Sequence, residues 1–397
     1  MHLSIVTEGP LAFDGKGYLF SEGGGYYIDS VAKHFGKVTI LAYAVRLDNP
    51  LYSAISHYEF TGRNISISEY PLSKSGSILG KLKQLVNSSL SIYRQIRKSD
   101  VFYIFLPGYP GAMAALLCRI TGRPYFVYLA SDWPEEAATL NPIRNLVGKM
   151  LLPLYRFSVS WLQNRAVGGA RFTLVHGQQL IDKYSDFEKS VRETVPRLYW
   201  PKYKLFDRQD TCQGEFITLL FVGYLIERKG AKHFIEAVGI LRKKGLKVRG
   251  LIIGTGDEEL SLKKLVAELG LDEAISFTGY LPNGEPLIER YRSADIFVCS
   301  SFSGEGFPRV LYEAMSQGLP IVSSDVCGIP LKLKPDENAV FAPPKNPDAI
   351  ANQAIRLIED DSLRQHLIRN GYLFMSNLIE DADGGKQVSE LYEQYKN

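Results

Sequence analysis

Short runs of consecutive apolar residues alternate with longer amphipathic stretches along most of the chain, and this alternation predicts a parallel α/β sheet. The apolar runs, which suit strands buried on both faces, lie at Leu3–Thr7, Lys37–Ala42, Val101–Leu106, Pro124–Ala130, Arg171–His176, Phe216–Val222, Val248–Ile253, Ile275–Tyr280, Asp295–Cys299, Ile321–Ser324 and Asn338–Ala342. The stretch Ser56–Tyr70 is expected to add one or two short strands. Amphipathic stretches predict helices at Tyr26–Phe35, Ser77–Lys98, Ala112–Thr121, Asn141–Ala170, Ala231–Lys244, Glu259–Leu269, Pro286–Ala294, Pro347–Glu359, Ser362–Phe374 and Gly385–Tyr395. This order predicts a doubly wound, Rossmann-like architecture.

A long loop from Glu8 to Gly25, rich in glycine, is expected between the first strand and the first helix. Glycines at this place let the backbone approach a ligand closely, and the loop is longer than most such connections. The final three glycines, which include Gly24 and Gly25, do not form a G-x-G-x-x-G motif. A phosphate-binding loop and a flexible surface loop therefore both remain open.

The length of 397 residues suits about two domains. Residues 196–213 show little periodicity and contain two prolines, so they are the expected linker. This places an N-terminal domain at residues 1–195 and a C-terminal domain at residues 214–375, with a last helical segment at 376–397.

The composition indicates a globular protein of the cytoplasm. Apolar residues make up 45% of the chain and charged residues 22%, and the net charge of +3 is too small to indicate nucleic acid as a partner. No apolar run reaches the length of about 20 residues that spans a bilayer, and the N-terminus lacks a signal-peptide pattern. The four cysteines form no C-x-x-C pair, which favours reduced thiols over disulfides or a zinc site; they are Cys118, Cys212, Cys299 and Cys327.

The stretch Ser300–Pro330 carries the clearest candidate chemistry. It predicts a strand end, a glycine-containing loop, a helix that begins near Pro308 and a further strand. Glu305 lies on the loop and Glu313 lies inside the helix. Carboxylates accept hydrogen bonds from sugar or ribose hydroxyls, whereas the backbone N–H groups at a helix N-terminus suit a phosphate. Spacing alone leaves open both a nucleotide-sugar site and a capped helix with one buried glutamate.

The same stretch resembles the E-x7-E motif of the retaining, family 4 type glycosyltransferases. Its E-G-F-P start, its E-A-M-x-x-G-x-P continuation and the following S-D-V-x-G-I-P all match that family's pattern. A second match is G-Y-L-I-E-R-K-G at Gly223–Gly230, which is similar to the family's G-[RK]-L-x-x-x-K-G, although Tyr224 replaces the usual basic residue. The resemblance is close over Phe216–Pro330 and covers the first domain only by topology and its glycine loop. It implies a GT-B fold, in which two Rossmann-like domains face each other across a cleft and a terminal helix crosses back to the first domain.

The resemblance implies a role for each matching residue. Arg228 and Lys229 would bind the donor diphosphate together with the Gly24 and Gly25 loop. An arginine can bind two phosphate oxygens at once, while a lysine acts as a point charge. Glu313 would bind the ribose hydroxyls. The remaining positions would contact the sugar, the helix start or the edge of the nucleotide: Glu305, Gly306, Phe307, Pro308, Gly223, Tyr280 and Leu281.

Asp132 is a further candidate, at the carboxyl end of the strand Pro124–Ala130. In related glycosyltransferases a histidine or aspartate near this place contacts the donor sugar, which implies a catalytic role for Asp132. A turn or a helix cap is the alternative.

The helical stretch Asn141–Ala170 is both basic and amphipathic. Such a helix lies on an anionic membrane surface or packs on a core with a solvated basic side, and both readings stay open. The first reading predicts peripheral contact with the inner face of a membrane.

Together these features predict an enzyme that transfers a sugar, with retention, from a UDP- or GDP-linked donor to a glycan, lipid-linked or polysaccharide-precursor acceptor in cell-surface polysaccharide biosynthesis. No cofactor and no metal are expected, because Arg228, Lys229 and the helix N-terminus supply the positive charge. The alternatives are a catalytically silent GT-B nucleotide-binding protein and a transferase that acts on a soluble small molecule. A phosphorylase or an epimerase would share the fold, but no separate motif indicates either.

Overall fold

Two units make up the chain in the computed structural model: Met1–Tyr199 with Asp383–Asn397, and Trp200–Ala382. The structure describes residues 1–7, 9, 11–46, 57–70, 78–135, 146–187, 191–196, 204–282, 284–303, 307–326, 328–380 and 383–396. Within these residues, no helix has the length and apolarity needed to cross a bilayer.

The first unit is built on a seven-stranded sheet in which every neighbouring pair is parallel. Its strands are β1 (His2–Val6), β4 (Lys37–Ala42), β7 (Ile65–Glu69), β8 (Val101–Leu106), β9 (Tyr125–Leu129), β10 (Thr173–Val175) and β11 (Val191–Glu193). The order is β11-β10-β9-β8-β1-β4-β7. The central strand, β1, pairs Leu3 with Val38 on one side and with Val101 on the other. The apolar pattern predicts five of these strands: β1, β4, β8, β9 and β10. Strand β7 lies in the stretch Ser56–Tyr70, which was expected to add short strands. Strand β11 was not predicted, because it has only one buried residue.

Helices cover both faces of this sheet. They are α1 (Glu22–Ala32), α2 (Ile78–Ile96), α3 (Tyr109–Thr121), α4 (Leu146–Val167), α5 (Gln178–Lys183) and α13 (Gly384–Tyr395). Helices α2, α3 and α4 pack on one face, where Ile92, Ala115 and Val159 are buried. Helices α1 and α13 pack on the other, where Tyr27 and Val388 are buried. The sheet is thus doubly wound, as predicted.

A small four-stranded sheet replaces the long loop expected at Glu8 to Gly25. It consists of β2 (Leu11–Phe13), β3 (Tyr18–Ser21), β5 (Ala44–Arg46) and β6 (His57–Glu59), and α1 already begins at Glu22. The loop prediction was therefore wrong, because the glycines of this stretch are typical of a loop and obscure its two short strands. The Asp29 carboxylate on α1 accepts hydrogen bonds from the Tyr58 hydroxyl at 2.7 Å and the Gly62 N–H at 3.0 Å, which fixes the small sheet against the helix.

The second unit contains a six-stranded, all-parallel sheet of order β14-β13-β12-β15-β16-β17. Its strands are β12 (Ile217–Val222), β13 (Val248–Ile253), β14 (Ile275–Phe277), β15 (Ile296–Cys299), β16 (Ile321–Ser324) and β17 (Val340–Ala342). Its helices are α6 (Ala231–Lys243), α7 (Glu259–Glu268), α8 (Glu285–Ser293), α9 (Arg309–Ser316), α10 (Ile329–Lys332), α11 (Pro347–Glu359) and α12 (Asp361–Glu380). The core lies between the sheet and helices such as α6 and α11.

Two boundaries differ from the expected ones. The described part of the expected linker packs on the second unit: the Phe206 N–H donates to the Ser316 carbonyl at 2.9 Å, and the Cys212 N–H to the Asp295 carboxylate at 2.8 Å. Helix α12 continues to Glu380, beyond the expected end at Phe374. The linker boundary differs because of tertiary contacts, and the helix boundary differs because α12 continues past Phe374. Local periodicity reveals neither of these.

Candidate functional site

Several turns meet at the carboxyl edge of the second sheet, where parallel α/β sheets bind ligands. The turn after β12 is bonded to the turn after β13, since the Leu225 N–H donates to the Thr255 carbonyl at 3.0 Å. Gly254, which follows β13, has a φ of +140° and lies so close to the Gly223 carbonyl that a Cβ atom has no space. Its N–H donates to the Gly279 carbonyl after β14 at 2.9 Å. Backbone contacts therefore fix this edge without using side chains.

The basic pair Arg228 and Lys229 lies on a single 3₁₀ turn, Glu227–Lys229, between β12 and α6. Gly230 ends the turn with a φ of +70°, and a Cβ atom there would overlap the Ser300 carbonyl. The Ser300 hydroxyl donates to the Gly230 carbonyl at 2.9 Å, and the Phe302 N–H donates to the Arg228 carbonyl at 2.9 Å. The basic turn is thus bonded to the segment after β15, which leads toward the predicted glutamate loop.

The predicted residues Glu305 and Gly306 lie outside the described residues. The chain is described again from Phe307 and Pro308, which are both buried in front of α9. Among the residues that the structure describes, no side chain caps the N-terminus of this helix. Its first backbone N–H groups therefore have the donor character and the positive dipole end that suit an anion.

Glu313 lies half-buried on α9, and its Oε2 accepts a hydrogen bond from the Tyr291 hydroxyl at 2.7 Å. Tyr291 belongs to α8 and is almost completely buried. A carboxylate has about four acceptor sites, and the bond from Tyr291 uses one of them. The hydrogen bond from the Tyr291 hydroxyl fixes the orientation of the Glu313 carboxylate.

Tyr280 and Leu281 follow β14 at the same edge, and the Tyr280 side chain is exposed. Burial of its hydroxyl raises the pKa of Tyr280; the nearby Tyr224 phenol adds to this rise and Arg309 opposes it. These interactions show that the ends of β12 and β14 and the start of α9 lie near one another. Tyr224, which takes the place of the family's basic residue, is also exposed.

In the first unit, Asp132 follows β9 and forms an ion pair with Lys183. The Lys183 ammonium is 2.6 and 2.7 Å from the two carboxylate oxygens, and the Gln163 side-chain amide donates to Oδ1 at 2.8 Å. The Gln163 amide also donates to the Tyr184 hydroxyl at 2.8 Å. Asp132 is therefore a positioned, charge-paired carboxylate at the carboxyl edge of this sheet.

Gly24 and Gly25 lie in the first turn of α1 rather than in a loop. A Cβ atom on Gly24 would meet the Phe20 ring at 2.6 Å, and one on Gly25 would meet the Tyr58 ring at 2.8 Å. Close packing therefore accounts for the missing side chains. The Gly24 N–H belongs to the first turn of the helix, where the N–H groups have no intrahelical acceptors.

A family model described as glycosyl transferases group 1 matches residues 204–374, which includes the basic turn, α9 and Glu313. This segment is therefore similar to the glycosyl transferases of group 1. The matched segment covers most of the second unit, Trp200–Ala382.

Sequence relatives match mainly this part of the chain. The uncharacterized glycosyltransferase MJ1607 of Methanocaldococcus jannaschii is 35% identical over 174 residues, which is 44% of each chain. The amylovoran biosynthesis glycosyltransferase AmsK of Erwinia amylovora is 36% identical over 152 residues, which is 37% of each chain. The chain thus matches less than half the length of these relatives.

The fold of both units is GT-B. The crystal structure of the Anabaena protein HepE in complex with UDP covers 99% of this chain and 100% of its own, with a TM-score of 0.70. The two proteins are 16% identical, so the likeness is one of fold.

Three residues that support these candidates were not found from the sequence. Ser300 fixes the basic turn between β12 and α6, Tyr291 orients Glu313, and Lys183 pairs with Asp132. Each lies between 22 and 70 residues from its partner, so no local motif records the contact. Only the sheet order, which places strand ends side by side, would have indicated them.

Proposed function

We propose that the protein is a retaining glycosyltransferase of the family 4 type, with Glu305 and Glu313 as its E-x7-E motif. The proposal rests on the hydrogen bonds between two segments at the edge of the second sheet, the basic turn and the segment after β15. Ser300 and Phe302 join the turn of Arg228 and Lys229 to the chain that enters α9. Two cations, an uncapped helix start and an oriented carboxylate are the groups that a nucleoside diphosphate sugar requires.

The donor is proposed to be a UDP- or GDP-linked sugar. Arg228 and Lys229 bind the diphosphate, Glu313 binds the ribose, and Glu305 with the amides of Gly306 and Phe307 binds the sugar. Tyr280 and Leu281 border the nucleobase. The complexes of the Anabaena protein with UDP and with UDP-glucose agree with this donor class.

In the proposed reaction, the bond between the anomeric carbon and the diphosphate breaks while the acceptor hydroxyl attacks from the same face. The leaving phosphate takes the acceptor proton, so no protein nucleophile is needed. Arg228, Lys229 and the N-terminus of α9 stabilise the negative charge that develops on the diphosphate. Transfer therefore proceeds without a metal, and an α-linked donor gives an α-linked product.

The acceptor is proposed to be a glycan, a lipid-linked sugar or a polysaccharide precursor. The name of the Erwinia relative, an amylovoran biosynthesis glycosyltransferase, supports a polysaccharide pathway. Asp132 at the edge of the first sheet is proposed to contact the transferred sugar.

A thermal-shift screen with UDP, GDP, ADP and their common sugar conjugates, without added metal, tests the donor site. A ligand that binds only the folded state at a hundredfold excess over its Kd stabilises it by about 2.7 kcal/mol. We expect a shift with one nucleoside diphosphate family, followed by hydrolysis or transfer of its sugar. Binding without any turnover in the presence of membrane extracts would instead identify a silent nucleotide-binding protein, and no binding would refute the site.

A further inference from the structure

Helices α2, α3 and α4 form one layer on the first sheet, with α3 between the other two. Their inner sides supply buried residues such as Ile92, Ala115 and Val159 to the core. We name their solvent-facing side the helical face. It belongs entirely to the first unit and does not include the candidate donor site.

Rows of large apolar side chains are exposed on the helical face, each between 41% and 80% accessible. They are Val86, Leu90 and Tyr93 on α2, Ile120 on α3, and Met150, Leu154, Phe157 and Trp161 on α4. Successive members on α2 and on α4 are three or four positions apart, so each helix presents one continuous row. Single exposed apolar residues are ordinary, whereas aligned rows on adjacent helices indicate a surface that binds something.

The charge of the helical face has a single sign. The three helices contain no aspartate or glutamate. Five basic residues on them have described side chains, and all five are exposed: Lys83, Arg94, Arg119, Arg156 and Arg165. The whole chain, in contrast, is nearly balanced, with 46 basic and 43 acidic residues. The excess of positive charge is therefore local, and it coincides with the exposed apolar rows.

Arginines lie directly beside the exposed aromatic rings. The Arg165 guanidinium is 5.5 Å from the Trp161 ring centroid, and the Arg97 guanidinium is 5.8 Å from that of Tyr93. The Arg119 guanidinium also donates to the Arg165 carbonyl at 3.1 Å, which joins α3 to the end of α4. An aromatic ring beside a cation suits the boundary between lipid acyl chains and phosphate headgroups.

We propose that the helical face docks on an anionic lipid surface. The apolar rows enter the boundary between headgroups and acyl chains, while the arginines contact lipid phosphates. A second copy of the chain fits less well, because a two-fold contact would place this basic, acid-free face against itself. The inference goes beyond the proposed transfer reaction and does not depend on it.

Co-sedimentation of the full chain with vesicles tests this proposal. Vesicles of phosphatidylcholine alone are compared with an equal mixture of phosphatidylcholine and phosphatidylglycerol, at low and high salt. We expect binding to the anionic vesicles, weaker binding at high salt because the headgroup charge is screened, and little binding to the neutral vesicles.

Matched variants separate the helical face from general surface effects. Phe157→Ser is expected to lower partitioning about tenfold, since it removes a large apolar group from the boundary. Its control is Leu260→Ser, which changes an even more exposed apolar residue on α7. Arg156→Gln is expected to lower partitioning about fivefold, the equivalent of about 1 kcal/mol for one basic residue near anionic lipid. Its control is Lys264→Gln, an exposed lysine of α7.

Three results would overturn the proposal. Two of them are failure of the parent protein to bind anionic vesicles, and equal binding by Phe157→Ser and the parent. The other is a dimer in sedimentation velocity that Phe157→Ser dissociates, without vesicle binding, which would make a second copy the occupant. Thermal midpoints with and without UDP, measured on every variant, verify that the fold and the donor site are intact. Loss of vesicle binding is thereby distinguished from failure of the proposed function.

Discussion

Gly230 shows how one residue determines the geometry of the basic turn. Its φ of +70° costs an L-residue about 1 to 2 kcal/mol, and the Ser300 carbonyl occupies the space of a Cβ atom. We expect Gly230→Ala to destabilise the second unit by about 3 kcal/mol and to weaken nucleotide binding, because the turn must move away from β15.

Gly245→Ala is the matched control for this substitution. Gly245 also has a positive φ, +88°, but a Cβ atom added there would meet no atom of the described residues within 4 Å. The substitution should lower the free energy of unfolding, measured in urea, by only about 1 kcal/mol. It should leave the affinity for the nucleotide unchanged. Equal effects of the two substitutions would show that the contact with Ser300 is unimportant.

Lys229 provides a direct test of the diphosphate site. A hydrogen bond to a charged group contributes about 1.5 to 3 kcal/mol. Lys229→Ala is therefore expected to raise the Kd for the nucleoside diphosphate by tenfold or more in calorimetry. Lys264→Ala removes the same charge from an exposed helix surface of the same unit. If both variants bind nucleotide like the parent, the diphosphate assignment is wrong.

Glu313 should determine recognition of the ribose. The parent is expected to prefer the ribonucleotide over its 2′-deoxy analogue, and Glu313→Ala should lose this preference because the hydroxyl acceptor is gone. Tyr291→Phe, which removes the 2.7 Å hydrogen bond that orients Glu313, should give an intermediate ratio. Titrations with both nucleotides measure that ratio, and an unchanged preference in Glu313→Ala would contradict the assignment.

At the scale of elements, the pair of Asp210 and Arg364 joins the segment before β12 to α12. Arg364 is almost fully buried, and its guanidinium is 2.6 and 3.0 Å from the two Asp210 oxygens. Asp210→Asn removes the negative charge that balances the buried Arg364 guanidinium. We therefore expect the free energy of unfolding, measured in urea, to fall by about 3 kcal/mol. Asp336→Asn, which disrupts the exposed pair with Arg356, should cost less than about 1 kcal/mol.

The pH dependence of this pair has a definite sign. Burial by itself would raise the pKa of Asp210, but the hydrogen bonds from Arg364 and Gln365 lower it below its ordinary value of 3.8. The ionised carboxylate therefore stabilises the fold above that value, and the contribution is lost as the pH falls through the folded-state pKa. The stability difference between the parent and Asp210→Asn should thus shrink between neutral pH and about pH 3. A constant difference would contradict this origin.

Elements with a buried apolar run or a full amphipathic period were predictable from the sequence, whereas strands inside a glycine-rich stretch were not. The buried runs at β4, β8, β13 and β16 and the helix α11 have the predicted bounds, because burial on both strand faces or a full amphipathic period is visible locally. The strands β2 and β3 were missed since a glycine-rich stretch is typical of loops. The basic turn and Glu313 were found from motifs, whereas Lys183, 51 residues from Asp132, was not.

At the scale of the whole molecule, the first unit is discontinuous, since α13 returns to it after the second unit. The Gly385 N–H donates to the Ser30 hydroxyl at 2.9 Å, and the Tyr392 ring lies 5.9 Å from that of Phe35. Deletion of residues 383–397 should therefore expose the apolar side of α1.

Hydrogen exchange measures this effect of the deletion. Faster exchange is expected in α1 and the neighbouring strands, while α6 to α9 and nucleotide binding by the second unit should stay unchanged. Lys386→Ala, an exposed substitution in α13, is the control and should exchange like the parent. Equal protection of α1 with and without α13 would show that the helix does not stabilise the first unit.

The discontinuous first unit also affects synthesis on the ribosome. Residues Met1–Tyr199 emerge before all of Trp200–Ala382, and the helix that covers α1 follows only then. At translation rates of about 5 to 20 residues per second, the apolar side of α1 stays uncovered for about 10 to 40 s before α13 is synthesised. During that interval the nascent chain presents Tyr27 and Phe35 to solvent on a partly folded sheet. This is the period in which a ribosome-associated chaperone would bind it.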